Sequence, residues 1–232
     1  MENTPGETAT LLASLKAFCF PGGEEAGRGR RSVKTTQRGE FRSAPGARWM
    51  TYTAEERIDA TQTGFCWDAR FGGSRLGSFV VTDAYEQSHG QLSVKLGGVI
   101  PVKKFTGPDV DKAEIQRYFS SIVMCPSILL HHPSLEFTAH GANALAVRDR
   151  NDLTNATVEM VIGVDGQPSA CRAERPRLVG KKTVLTPWLG SCLEFQECEG
   201  LRVARRIEVS WRLPEGDFTY LRGEVTSLHL LP

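Results

Sequence analysis

The stretch from Arg206 to Leu230 has little freedom to be anything but a long antiparallel hairpin. Ile207, Val209, Trp211 and Leu213 alternate with Arg206, Glu208, Ser210 and Arg212, and a period of two places the two sets on opposite faces of a strand. Pro214-Glu-Gly-Asp217 then supplies the residues a tight turn uses, and Phe218-Thr-Tyr-Leu-Arg-Gly-Glu-Val225 resumes an extended pattern. One face of such a pair meets a core and the other meets water or a lined cavity. The hairpin sets a class of fold and carries no catalytic signature.

The rest of the chain extends this pattern. Phe65, Trp67, Ala69 and Phe71 predict a strand, as do Phe79–Tyr85 and the alternating Leu92, Val94 and Leu96. Strands roughly 10–13 residues apart suit an antiparallel meander better than βαβ units. The clearest helix begins at Pro108-Asp109, shows an apolar stripe of Ile115, Tyr118, Phe119, Ile122 and Val123, and ends by Pro126. A further turn is expected at Ser127–Leu130. Strands follow at Leu135–His140, Ala144–Arg148, Thr157–Val164, Ser169–Glu174, Thr183–Leu185 and Cys192–Glu197.

Near the N-terminus, Thr4-Pro5-Gly6-Glu7 is a capping box, and Leu11, Leu12, Leu15, Phe18 and Cys19 recur at helical spacing. Residues 22–31 are rich in Gly and Arg, so residues 1–31 are expected to be a helix and linker and 32–232 a single curved-sheet domain. A second capping pattern, Thr53-Ala-Glu-Glu56, predicts a short helix reaching about Ala60. The expected fold is α+β: a strongly curved antiparallel half-barrel closed by a long helix and short helices around an apolar cavity.

Bulk properties exclude several partners. A formal charge of +1 gives no electrostatic case for nucleic acid. No apolar run approaches the ~18 residues of a membrane span, so no stable membrane insertion is expected. The acidic start Met-Glu-Asn-Thr-Pro-Gly-Glu is unlike a signal peptide, which points to the cytoplasm. Six scattered cysteines without C-x-x-C spacing read as reduced thiols, and neither a metal nor a cofactor is expected. The remaining partners are an apolar small molecule and, as a homodimer, a second copy of the chain.

Several short stretches taken in order resemble an uncharacterised bacterial family. They include Arg38-Gly-Glu-Phe-Arg42, Trp49-Met-Thr-Tyr-Thr-Ala54, Gly64-Phe-Cys-Trp-Asp-Ala69 and Asp83-Ala-Tyr85. Further on come Arg117-Tyr118, Pro126-Ser-Ile-Leu-Leu130, Thr186-Pro-Trp-Leu-Gly190, Glu208-Val-Ser-Trp211 and Phe218-Thr-Tyr220. The resemblance covers about residues 36–230 and implies a fold similar to the lipoprotein-carrier half-barrels, with no established activity to carry over. Many members of that family have membrane helices ahead of the domain, and none is expected here. The family pattern also has a glutamate and a tryptophan where this chain has Ser121 and Met124, which implies a reshaped hollow.

Candidate acid–base groups are His131 and His132 at a helix-to-strand corner, Asp83 on the face of Tyr85, and Asp68 and Glu208 on strands. Adjacent histidines point apart, so a shared metal is not expected. Glu208, flanked by Arg206, Ser210 and Arg212, equally fits a cross-strand ion ladder with Arg222 and Glu224. Candidate ligand contacts are Trp67, Tyr85, Tyr118, Met124, Trp188, Trp211 and Tyr220, which also serve as ordinary core. The Gly72–Gly77 stretch precedes no helix and reads as a hairpin loop. The sequence favours a cofactor-independent enzyme that folds a terpenoid- or polyketide-like substrate and catalyses cyclisation, isomerisation or ring opening. The alternative is a carrier or sensor of a hydrophobic ligand or lipid.

Overall fold

The computed structural model describes residues 5–72 and 77–232. The capping residue Thr4 and positions 73–76 of the glycine-rich loop lie outside the described residues. Six strands run outward from the middle of the sheet: β1 (Ser32–Phe41), β2 (Met50–Asp59), β3 (Phe65–Phe71), β4 (Phe79–Glu86), β5 (His89–Leu96) and β6 (Ile100–Phe105). The chain then crosses the concave side and re-enters at the far edge. It returns through β7 (Leu135–Ala139), β8 (Ala144–Asp149), β9 (Val158–Ile162), β10 (Pro168–Val179), β11 (Lys182–Cys198), β12 (Leu201–Leu213) and β13 (Gly216–Leu231). The order β6-β5-β4-β3-β2-β1-β13-β12-β11-β10-β9-β8-β7 makes one 13-stranded sheet among the described residues, with every pairing antiparallel. The half-barrel expected from the sequence is therefore present, and its seam is the pairing of β1 with β13, where Val33 faces Leu230.

Alternation decides which face each strand turns inward. On β2, Tyr52, Ala54, Glu56 and Ile58 are buried while Thr51, Thr53, Glu55 and Arg57 are exposed. The short helix expected at Thr53–Glu56 does not form. Those residues pair with β1 on one side and β3 on the other. A helix cap contributes about 1 kcal/mol, less than the roughly 1.5–3 kcal/mol from burying a single large apolar side chain, and β2 buries several. The two pieces expected at Thr183–Leu185 and Cys192–Glu197 are one strand, because Pro187 sits exposed while its neighbour Trp188 pairs with Trp211. Register shifts at Thr36/Gln37, Cys192–Phe195 and Val209/Ser210 supply the bulges that curl so long a sheet.

Helix α1 (Pro5–Cys19) lies across β7, β8 and β12. It sends Leu15, Phe18 and Cys19 into the same apolar cluster that fills the sheet, with Phe18 edge-on to Phe195 at 4.9 Å. Gly166, at φ +82, lets the β9–β10 turn touch this helix, since a Cβ there would lie 2.2 Å from the Ser14 carbonyl oxygen. A short helix α2 (Glu25–Arg28) follows.

Helix α3 (Pro108–Ser120), with a 3₁₀ turn at Ser121–Val123, spans the concavity from β4 and β5 to β9 and β10. Its first turn comes against β5 at Gly90, where a Cβ would stand 2.7 Å from the Val110 carbonyl oxygen, and the Gly90 amide donates to Asp111 at 2.6 Å. Helix α4 (Ile128–His131) completes the cover at that end. The β10–β11 and β12–β13 hairpin tips and the β1–β2, β3–β4 and β5–β6 connections lie at the other end. All six cysteines are free thiols, with Cys19, Cys125 and Cys171 buried. No helix among the described residues is long and apolar enough to cross a membrane.

If α1 is part of the core, Leu15→Ala should lower the unfolding free energy in urea by about 3 kcal/mol. A change under about 0.5 kcal/mol would mean that α1 is an appendage.

Candidate functional site

The inner face carries two surfaces of different chemistry. Beneath α3 lies a charged cluster. Arg117 donates to Glu56 at 2.9 Å and also to Asp83, and its guanidinium lies over Phe65 at 4.7 Å and Trp67 at 5.0 Å. Gln37 donates to the other Glu56 oxygen at 2.6 Å and accepts from the Trp67 indole at 3.1 Å. Burial works against the Arg117 charge, but Asp83, Glu56 and Glu114 together overcome it and hold the guanidinium above its ordinary value. One cation, two carboxylates, an amide and two aromatic rings thus close on one another.

The other half of the cluster is less complete. Arg175 donates to the Ala113 carbonyl at 2.6 Å and stacks on Trp188 at 4.8 Å. The Trp188 indole donates to the Tyr220 hydroxyl at 3.0 Å. Gln116 donates to the carbonyls of Thr157 and Glu174 at 3.2 and 3.1 Å, tying α3 to the β9–β10 arm. Glu114 is buried, and desolvation, reinforced by Asp83 and opposed by Arg175, pushes its carboxyl well above 4.5. The buried carboxyl therefore holds its proton more tightly than a free glutamic acid does.

Beyond α3 toward the hairpin tips, the concave face is aromatic. Phe41 meets Phe71 at 5.6 Å and Tyr220 at 6.2 Å, and Tyr220 stacks on Trp211 at 5.7 Å. Phe79 and Val184 continue this face at 42% and 48% exposure. Cross-strand register places Phe79 beside Phe71 and Val184 beside Arg177, so both point into the concavity.

A polar cavity of about 560 Å³ opens at the opposite end, between the β2–β3 and β4–β5 turns and the start of β7. In its wall Thr63 donates to Asp149 at 2.7 Å and lies 3.0 Å from His132 Nε2. The Ser134 amide donates to His132 Nδ1 at 3.4 Å. That leaves the imidazole proton on Nε2, facing Thr63, whose own proton is directed to Asp149. Thr63 is therefore tied down between Asp149, to which it donates, and His132, from which it accepts. Burial, opposed by Asp149 and Asp59, moves the His132 pKa down.

The sequence candidates divide between these places. Asp83 and Trp67 meet in the charged cluster. Trp188, Trp211 and Tyr220 line the aromatic face, while Tyr118 and Met124 are buried under the helical cover. Tyr85 and His132 border the polar cavity, whereas His131 reaches away to the Gly27 carbonyl at 2.9 Å. Asp68 points outward and accepts from Thr82. Glu208 pairs with Arg222 at 3.0 Å beside an open outer depression, so neither faces the interior. Glu56, Glu114, Arg117 and Arg175 are not among the sequence's site candidates, although Arg117 and Glu56 fall in stretches it marks for other reasons. Their signal is a charged residue at an apolar position of a strand or helix stripe, as Glu56 is between Ala54 and Ile58.

The chain matches a family of unknown function (DUF6544) over residues 22–223 and belongs to it. No curated protein matches it. Among solved structures it is similar to a LolA superfamily protein from Nitrosomonas europaea, with TM-score 0.51 and 10% identity, covering 97% of this chain and 94% of that one. It is similar to a DUF1329 family protein from Desulfovibrio piger, with TM-score 0.52 and 10% identity over 99% and 94% of the two chains. It also resembles a domain from Vibrio parahaemolyticus described as an outer membrane lipoprotein-sorting protein, with TM-score 0.51 and 8% identity over 98% and 93%. The shared feature is the strongly curved antiparallel sheet.

The raised Glu114 pKa has a stability consequence. The fold binds this proton more tightly than the unfolded chain does, so its contribution is complete below 4.5 and is lost as pH rises toward the folded value. Glu114→Gln should therefore gain on the wild type above that pH. The gain is bounded by about 1.4 kcal/mol per pH unit, read from urea unfolding at a series of pH values. Parallel pH profiles for the two proteins would refute the assignment.

Proposed function

Taking membership of that family as the premise, we propose that the protein is a binding or carrier module that holds a hydrophobic molecule, a lipid or other amphiphile, on its concave aromatic face. The observation that carries this reading is the wet apolar surface itself. Phe79 and Val184 are inward-facing yet 42% and 48% exposed, and half-buried Phe41, Trp211 and Tyr220 lie between the arms. Apolar area covered by a ligand gains roughly 25 cal/mol per Å², and contiguous exposed apolar surface on a soluble domain marks a contact site. An alkyl chain or a fused-ring body would lie along the stacked rings with no further polar demand.

The acid–base enzyme favoured by the sequence gains less support. General acid–base catalysis needs a titratable group presented to the substrate. Asp83 and Glu56 are engaged by Arg117, and His132 is engaged by Thr63 and Ser134. The neighbours' likeness at 8–10% identity supports a carrier-like fold and lends nothing to cyclisation or isomerisation.

Native mass spectrometry of freshly purified protein, followed by organic extraction, is expected to yield a co-purifying apolar molecule. Displacement of an environment-sensitive apolar dye gives the affinity. Trp211→Ala should weaken dye binding about tenfold, as expected if a ligand covers roughly 55 Å² of one face of the half-buried indole. Wild-type affinity in that variant would remove the aromatic face as the binding surface.

A further inference from the structure

Resting on that reading, we propose that the inner end of the aromatic groove is an anion site, in which Arg175 holds the negatively charged head group of an amphiphile. The two interior guanidiniums differ in one respect. Arg117 is paired with two carboxylates. Arg175 is only 8% exposed, yet no carboxylate lies within ion-pair distance of it among the described residues. Its Nη2 is used on the Ala113 carbonyl and its face on Trp188, and its buried Nε has no partner. A buried cation without a counter-ion is costly, and an anion delivered by the ligand offsets that cost.

The surroundings suit this occupant. Glu114, 5% exposed, also has an unpartnered oxygen, Oε2. Burial, Asp83 and the hydrogen bond shared with Asp83 raise its proton affinity while Arg175 opposes them, so this carboxyl repels an anion less than a free carboxylate does. The Tyr220 hydroxyl lies within the fields of Arg175, Arg117 and Glu114, while its ring stacks on Trp211 in the groove. The apolar surface and the charged end are therefore joined through one residue. Arg177, two positions along the same face of β10, sits over Trp211 at 5.6 Å and adds positive charge on the way in. An apolar tail would lie along Phe41, Phe71 and Trp211, with its carboxylate or phosphate at Arg175.

The test compares dodecanoate and dodecyl phosphate with methyl dodecanoate, each measured by displacement of the apolar dye. The anionic probes should bind at least tenfold more tightly than the ester. Arg175→Met should erase that margin while leaving the ester's affinity within about twofold of wild type, which also reports that the variant is folded. The margin of each anion over the ester identifies whether carboxylate or phosphate is preferred. Equal affinities in the wild type, or a margin that survives Arg175→Met, would overturn the anion site and leave the carrier reading intact. Failure of all three probes to bind would remove both. A measurement that needs no variant is the titration of bound carboxyl-labelled dodecanoate by NMR. The site predicts a pKa below that of the same acid in a neutral detergent micelle, and a higher one counts against it.

Discussion

The contact on which the rest depends is the grip of Arg117 on Glu56 and Asp83. These residues come from α3, β2 and β4, and the hydrogen bonds close sequence separations of 61 and 34 residues. Without them α3 would be held to β2 and β4 chiefly by apolar contact, which is not directional. The ion pairs fix its register, and Phe65 and Trp67 beneath the guanidinium exclude the water that would weaken them. Glu56 is in turn held by Gln37, which reaches across from β1. One helix side chain thereby ties β1, β2, β3 and β4 into a single rigid arm. Gln116, one position earlier on α3, binds the carbonyls of Thr157 and Glu174 on the opposite arm. The curvature of the barrel is set by bulges, and its width by this helix.

Such an arrangement explains how a charged interior and an exposed aromatic face coexist. The charges of Arg117, Glu56 and Asp83 are matched against one another, so they do not compete for a ligand, whereas Arg175 beside them has no such partner. Aromatic groups lie farther out, where no helix covers them. The boundary falls at Trp188 and Tyr220, which are bonded to each other at 3.0 Å and look both ways. The same separation accounts for the weak case for catalysis, because the groups with strongly displaced proton affinities are those that water and substrate reach least.

The fold was legible wherever one residue in two is apolar. Phe65–Phe71 and Ile207–Leu213 announce their strands outright, and the stripe from Ile115 to Ile122 announces α3. β2 was misread because Thr53-Ala-Glu-Glu56 has the chemistry of a helix start. Only the two flanking strands, which local sequence does not reveal, override it. β6 escaped because its residues are almost all exposed and so lack alternation. The site was legible in its aromatic half, since Trp188, Trp211 and Tyr220 stand out by type. Its charged half was not, because a glutamate or arginine at an inward position becomes informative only when its partner is known. Asp83 was recognised as a buried carboxylate candidate, yet nothing in its neighbourhood in sequence points to Arg117.

The distribution of stability over the molecule follows from the same geometry. At the end covered by α3 and α4, fully buried Tyr118, Phe119, Ile122 and Ile128 pack between the two arms. At the other end β10–β13 run on past the helix as paired hairpins, and Leu178, Val179, Val184 and Leu185 stand about half exposed near one tip. Local opening is easiest where buried apolar contacts are few, so the hairpin tips are expected to open before the Arg117 cluster does. A carrier has to admit a bulky apolar guest without unfolding. On the carrier reading, a half-barrel clamped by ion pairs at one end and more open at the other meets that requirement with one rigid helix.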